Sequence, residues 1–200
     1  MVFDPQLRQR IAQMSARLMV QQGIADYQQA KRKAAEKLGV PNTKQLPNNS
    51  EIKEEILIYQ RLFQADIQPH QLQQQRHIAL QAMRLFAAFT PRLVGEVLNG
   101  TAHQYSDITL HLFTDTSEEV AFFLMDKNIP YKLNEQHFRL PQLVSYPCYQ
   151  FMAGEEKVVL VVFGINDIRW APPCPIDGKP MRRANMHAVE KLVQADNGDH

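Results

Sequence analysis

The sequence predicts an α+β fold, and three observations predict it. Over residues 1–89 the apolar side chains recur at spacings of three and four. From residue 92 onward the spacing falls to two in several short runs. Clusters of Pro, Gly and Asn punctuate both parts. Helices first and a mixed sheet afterwards is the order of an α+β chain. The division expected from this change of period is a helical region, residues 1–89, and an α/β domain, residues 90–200.

The elements follow in order. Asp4 is placed to cap a helix carrying Leu7, Ile11, Met14 and Leu18, which Gly23 ends. A second helix is expected from Asp26 to Leu38, with Gly39 as its stop and Pro41 just beyond. Its apolar face is Tyr27, Ala30, Ala34 and Leu38, flanked by Lys31, Arg32, Lys33 and Lys37. Residues 40–49 form a loop rich in Pro and Asn. Asn48 followed by Glu51 reads as a capping box for a third helix with Ile52, Ile56, Tyr59 and Phe63 on its core face. Pro69 opens a fourth helix carrying Leu72, Leu80, Met83 and Phe86, which Thr90-Pro91 ends.

At residue 92 the period changes, and Arg92–Leu98 is short, apolar-rich and β-branched in part. Ser106–Phe113 alternates, with Ile108, Leu110 and Leu112 on one face and Asp107, Thr109 and His111 on the other. Thr116 and Ser117 lead into a helix with Val120, Phe122, Phe123 and Leu124. Strands are expected over 129–139, 146–152 and 157–163, a Pro-rich loop over 171–180 around Asp177-Gly178, and a last helix over 185–194.

Charge is balanced in total and uneven along the chain. There are 22 Lys and Arg against 21 Asp and Glu, giving a formal charge of +1. Residues 1–99 hold 13 basic and 8 acidic residues, whereas residues 100–200 hold 9 and 13. The near-zero total argues against a nucleic-acid coating protein. Lys31, Arg32, Lys33, Lys37, Arg182 and Arg183 are candidate contacts for phosphates or an acidic partner. No apolar run is long enough for a bilayer, so no membrane association is expected. The two cysteines, Cys148 and Cys174, fit neither CxxC nor finger spacing, and a reducing cytoplasm is the expected location. P-loop, nucleophile-elbow, HExxH and GxGxxG patterns are absent.

The stretch 93–110 carries the most information. Gly95 follows Leu93-Val94, Gly100 lies five residues on, and Ser106-Asp107-Ile108 opens the alternating run. This resembles the signature of the nucleotidyltransferase superfamily that includes DNA polymerase beta and the small bacterial minimal nucleotidyltransferases. In that pattern a strand ends in Gly-Ser, a short helical turn containing Gly follows, and Ser-Asp-hydrophobic-Asp-hydrophobic begins the next strand. The resemblance covers roughly residues 85–165, and the whole chain is similar to a group of uncharacterised bacterial proteins with such a helical lead. It implies a nucleotidyltransferase-like mixed sheet, with Gly95, Gly100, Thr101 and Ser106 at nucleotide-binding positions and Asp107 at the first metal carboxylate.

In such a site carboxylates two residues apart on a strand, with a third from a neighbouring strand, hold two Mg²⁺ ions for phosphoryl transfer. Here the second acidic position is Thr109, and the serine beside the first glycine is replaced by Glu96. A hydroxyl is a poor substitute for a carboxylate on Mg²⁺, and Glu96 would repel a triphosphate. The run 157–163 has no acid; Glu155 and Glu156 stand at its entrance. Asp107 is thus a vestigial catalytic candidate, and neither a metal nor another cofactor is expected.

Three readings follow. The first, favoured here, is a noncatalytic nucleotidyltransferase-like protein with a binding or regulatory role toward a nucleotide or a protein partner, its N-terminal helices serving as interaction surface. The second is an atypical Mg²⁺-dependent nucleotidyltransferase with a site rebuilt from Asp107, His111 and Glu155 or Glu156; Asp107 and His111 are the outside metal candidates. The third is a nucleic-acid-binding accessory protein using the basic N-terminal half. His103 sits in the intervening loop, and both cysteines are read as structural.

Overall fold

The computed structural model describes residues 4–139 and 142–198. The chain forms two compact units. One holds the chain through Gln68 together with His103–Ser106 and Pro175–Gly178; the other holds Pro69–Ala102, Asp107–Cys174 and the chain from Lys179 on.

The first unit is built from α1 (Pro5–Gln22), α2 (Tyr27–Lys37) and α3 (Asn49–Phe63). Their ends are fixed by local chemistry. Asp4 accepts from the Gln6 and Leu7 N–H groups, and Asp26 accepts from Gln29. At α3 the capping box is complete: Asn48 Oδ1 accepts from Glu51 N at 2.8 Å, and Glu51 Oε2 accepts from Asn48 N at 2.6 Å. Gly23 ends α1 in the left-handed region at φ +66°, and a Cβ there would lie 2.8 Å from the Tyr105 ring. Ile11, Met19, Ile52 and Ile56 fill the core, with Ala12, Ala16, Ala30 and Ala34 as the small residues between them. The buried face of α3 is Ile52, Ile56 and Gln60. Phe63, expected in that face, is 68% exposed instead: it stands at the open edge of the groove between α1 and α3, where no further element among the described residues covers it.

The second unit is a five-stranded mixed sheet with helices. After α4 (Gln68–Leu85) and a short 3-10 turn come β1 (Arg92–Val94), α5 (Gly95–Asn99), β2 (Ile108–Thr114) and α6 (Glu118–Asp126). A hairpin of β3 (Lys132–Arg139) and β4 (Leu143–Ala153) leads to β5 (Glu156–Gly164), and α7 (Met186–Gly198) follows. The strand order is β1-β2-β5-β4-β3. β2 and β5 pair in parallel, and every other neighbouring pair is antiparallel. The run 92–98 is a three-residue strand and then a helical turn, the order expected around the two glycines, because Gly95 adopts φ +76° and turns the chain out of the sheet. One sequence expectation needs correction. The fourth helix ends at Leu85, five residues before Thr90. By packing, α4 belongs with the sheet, so the division by packing falls at Gln68, while the change of period falls near residue 90.

One sheet face is the main core. Ile108, Leu110 and Leu112 of β2 and Val158, Leu160 and Val162 of β5 meet Met83 of α4, Leu124 of α6 and Val189 of α7. Each such buried aliphatic side chain contributes about 1.5–3 kcal/mol. Arg76 of α4 joins this layer by donating to the Val97 carbonyl and to both carboxylate oxygens of Asp196. The opposite face carries Thr109, His111 and Phe113 of β2 beside Val159, Val161 and Phe163 of β5. No helix among the described residues is long and apolar enough to cross a membrane.

Candidate functional site

The second sheet face is where the sequence places Asp107, and the parallel register decides its neighbour. Ile108 pairs with Val158, so the preceding residues of both strands stand side by side. Lys157 Nζ lies 2.8 Å from Asp107 Oδ2. An ammonium group thus meets the one carboxylate retained at an expected metal position. Downstream on the same face stand Thr109, half-buried, and Val159 and Val161, both buried. No carboxylate from β5 reaches this face among the described residues. Glu156 points to the opposite side, where its carboxylate accepts from Gln75 Nε2 at 3.1 Å. Glu155 is exposed in the β4–β5 turn.

Four residues along β2, His111 is 1% exposed. Its Nδ1 accepts from Arg183 Nε at 3.0 Å. With Nδ1 as acceptor, a neutral ring carries its proton on Nε2, and no lone pair is left for a metal. Burial, reinforced by the Arg183 charge, pushes the imidazole pKa down to about 3. Arg183 donates from Nη1 to the carbonyls of Asp167 (3.0 Å) and Trp170. Its Cζ lies 4.8 Å from the Phe113 ring centroid and 4.9 Å from that of Phe163. Burial lowers the guanidinium pKa to about 10, against the opposing charge of Asp167. Tyr146 packs against Phe163 in a tilted pair, with ring centroids 4.4 Å apart. This half of the face is therefore covered by a half-buried arginine packed against aromatic rings.

The sequence-predicted residues separate accordingly. Asp107, His111 and the Glu155–Glu156 pair are not brought together, and no group of three His, Cys, Asp or Glu residues suited to a metal occurs among the described residues. Gly95 and Gly100 bracket α5, both at positive φ. Glu96 supplies the carbonyl that accepts from the Gly100 and Thr101 N–H groups. Thr101 is buried. Ser106 is also buried and closes a turn with His103: its Oγ accepts from His103 N at 3.0 Å, and its N–H donates to the His103 carbonyl at 2.8 Å.

Two of the basic candidates are drawn inward, Lys31 fully and Arg183 in part. Lys31 is 5% exposed; burial lowers its pKa, opposed by the Glu51 charge. Glu51 is also bound through both oxygens by Arg8, at 2.7 Å each. Arg183 belongs to the sheet face. Both were expected as surface contacts, but helical period and sheet packing turn them inward. Arg32, Lys33, Lys37 and Arg182 are exposed. Both cysteines are free thiols, and burial raises the pKa of Cys148.

Sequence reasoning missed Lys157 and the Arg183–His111 pair. The usable signal for Lys157 was parity: it shares the odd positions of Val159, Val161 and Phe163 on a strand parallel to β2. Comparison with protein-family models, curated proteins and solved structures found no match.

Proposed function

We propose that this chain is a nucleotidyltransferase-like protein that works by binding rather than by two-metal phosphoryl transfer. The observation that carries this reading is the Lys157–Asp107 pair. A cation built into the chain neutralises the retained carboxylate at the position where a divalent ion would need a second and third acid. Three further features support it. The order α4-β1-α5-β2-α6 is the order of elements that the resemblance implies. Gly95 adopts a positive φ directly after β1, and a Cβ there would meet nothing within 4 Å. The outer half of the face is closed by Arg183 and its rings instead of ligands. The role is regulatory, toward a nucleotide or a protein partner, and the free thiols suit a reducing compartment such as the cytoplasm.

The test is a panel of nucleoside triphosphates with and without Mg²⁺, read by thermal shift and by triphosphate consumption. Ligand binding raises the melting temperature by mass action. The expected result is no Mg²⁺-dependent turnover, with any nucleotide stabilisation unchanged by chelation. Mg²⁺-dependent turnover that Asp107→Ala abolishes would overturn the proposal.

A further inference from the structure

The three-helix unit carries a groove that the reading of the sheet face does not use. It runs between α1 and α3 with a volume of about 660 Å³. Ile58, Leu62 and Phe63 form one wall and Met14 lies opposite. Leu62 and Phe63 are each about two-thirds exposed, at 67% and 68%. Two adjacent large apolar side chains left this open, beside the half-exposed Ile58, form a contiguous patch of the kind that marks an interaction surface. The α3 residues recur at helical spacing, so the wall is a straight stripe along the helix.

The other wall is cationic. Arg10 and Arg17 line the groove from α1, against a single lining carboxylate, Glu55. They lie seven residues apart, two helical turns, or about 10.5 Å along the axis. The ordering of this wall is visible in its contacts: Arg17 Nε donates to Gln21 Oε1 at 3.0 Å, and Gln21 Nε2 donates to the Tyr59 hydroxyl at 2.7 Å.

We propose that this groove docks an amphipathic acidic helix of a partner protein. Two parallel stripes on neighbouring helices present the shape that a third helix fills. Its apolar face would cover Ile58, Leu62 and Phe63. Two carboxylates seven residues apart on its flank would match Arg10 and Arg17. The inference rests on the N-terminal unit alone, so nucleotide and metal assays of Asp107 neither support nor weaken it.

The test uses fluorescence anisotropy with the full chain and a labelled synthetic helical peptide of about four turns. The peptide carries Leu along one face and two Glu seven residues apart on its flank; its twin carries Lys in place of Glu. The acidic peptide is expected to bind at least about tenfold more tightly than its twin, as close charge pairs at such interfaces allow. Phe63→Asp and Leu62→Asp, both at exposed positions, should each weaken binding about tenfold or more while leaving the circular dichroism spectrum unchanged. Arg10→Glu combined with Arg17→Glu should reverse the preference. No binding, equal binding of the two peptides, or binding indifferent to Phe63→Asp overturns the proposal. Sedimentation provides the other decisive outcome: self-association of the free chain that Phe63→Asp abolishes would assign the groove to a second copy and overturn it as well.

Discussion

Arg183 donates its Nε–H to His111 Nδ1 at 3.0 Å while its guanidinium packs against both the Phe113 and Phe163 rings. The imidazole must be neutral to accept this bond, and burial holds its pKa near 3, below its ordinary value of 6.5. Between those two values the unfolded chain binds a proton that the folded chain does not. Stability therefore rises with pH across this window and is lost as pH falls from 6.5 toward 3. His111 alone should give a slope of up to about 1.4 kcal/mol per pH unit there. Urea unfolding at a series of pH values checks this. His111→Gln keeps an acceptor for Arg183 but does not titrate, so its stability should fall less steeply than wild type over the same range. Equal slopes would show that His111 is not the group responsible.

The Lys157–Asp107 pair calls for a different magnitude. Its side chains are 44% and 36% exposed, and exposed pairs contribute roughly 0.2–1 kcal/mol. A double-mutant cycle with Asp107→Ala and Lys157→Ala should give a coupling in that range, shrinking as salt is raised. The pair is thus a weak contributor to stability even though it defines the electrostatics of the face. A salt-insensitive coupling above about 2 kcal/mol would mean that it acts as a buried structural bridge.

Local signals were the legible part of this fold. Asp4, Gly23 and the Asn48–Glu51 box act within a few residues of themselves, so their roles are visible without tertiary information. The strand parity of Ile108, Leu110 and Leu112 was visible for the same reason. What was not legible depends on which segments meet. Lys157 opposes Asp107 only through a parallel pairing of strands about fifty residues apart, and Arg183 reaches His111 across 72 positions. Lys31 and Phe63 show the same limit on helices. A helical period defines a face, but the neighbouring helix decides how wide the buried face becomes, so a lysine was covered and a phenylalanine left open.

Gly23 and Gly95 share a left-handed conformation, at φ +66° and +76°, but differ in their surroundings. An alanine at Gly95 would meet nothing within 4 Å, so its cost is the backbone term alone, about 1–2 kcal/mol. At Gly23 the added Cβ would lie 2.8 Å from the Tyr105 ring, adding an overpacking cost of about 1–3 kcal/mol. Urea unfolding should therefore rank Gly23→Ala as the more damaging change. Adding Tyr105→Ala should recover part of that difference in a double-mutant cycle. Equal costs at the two glycines would show that the Tyr105 contact is not a constraint.

Arg76 and Arg84 both tie α4 to α7 by an ion pair, yet their environments predict unequal effects. The Arg76 and Asp196 side chains are 9% and 22% exposed, and Arg76 donates to the Val97 carbonyl as well. Truncating it leaves a half-buried carboxylate and a backbone acceptor without their donor, a loss of about 2–4 kcal/mol. The Arg84–Glu190 pair is 60% and 34% exposed, so Arg84→Ala should cost less than about 1 kcal/mol. Removing the acid with the base should soften the first loss, because Arg76→Met combined with Asp196→Leu leaves no orphaned charge. Thermal unfolding of the three variants reads the order directly: Arg76→Ala lowest, the double replacement intermediate, and Arg84→Ala near wild type. Near-equal melting temperatures for Arg76→Ala and Arg84→Ala would mean that water solvates Asp196 well enough for the buried pair to behave as a surface one.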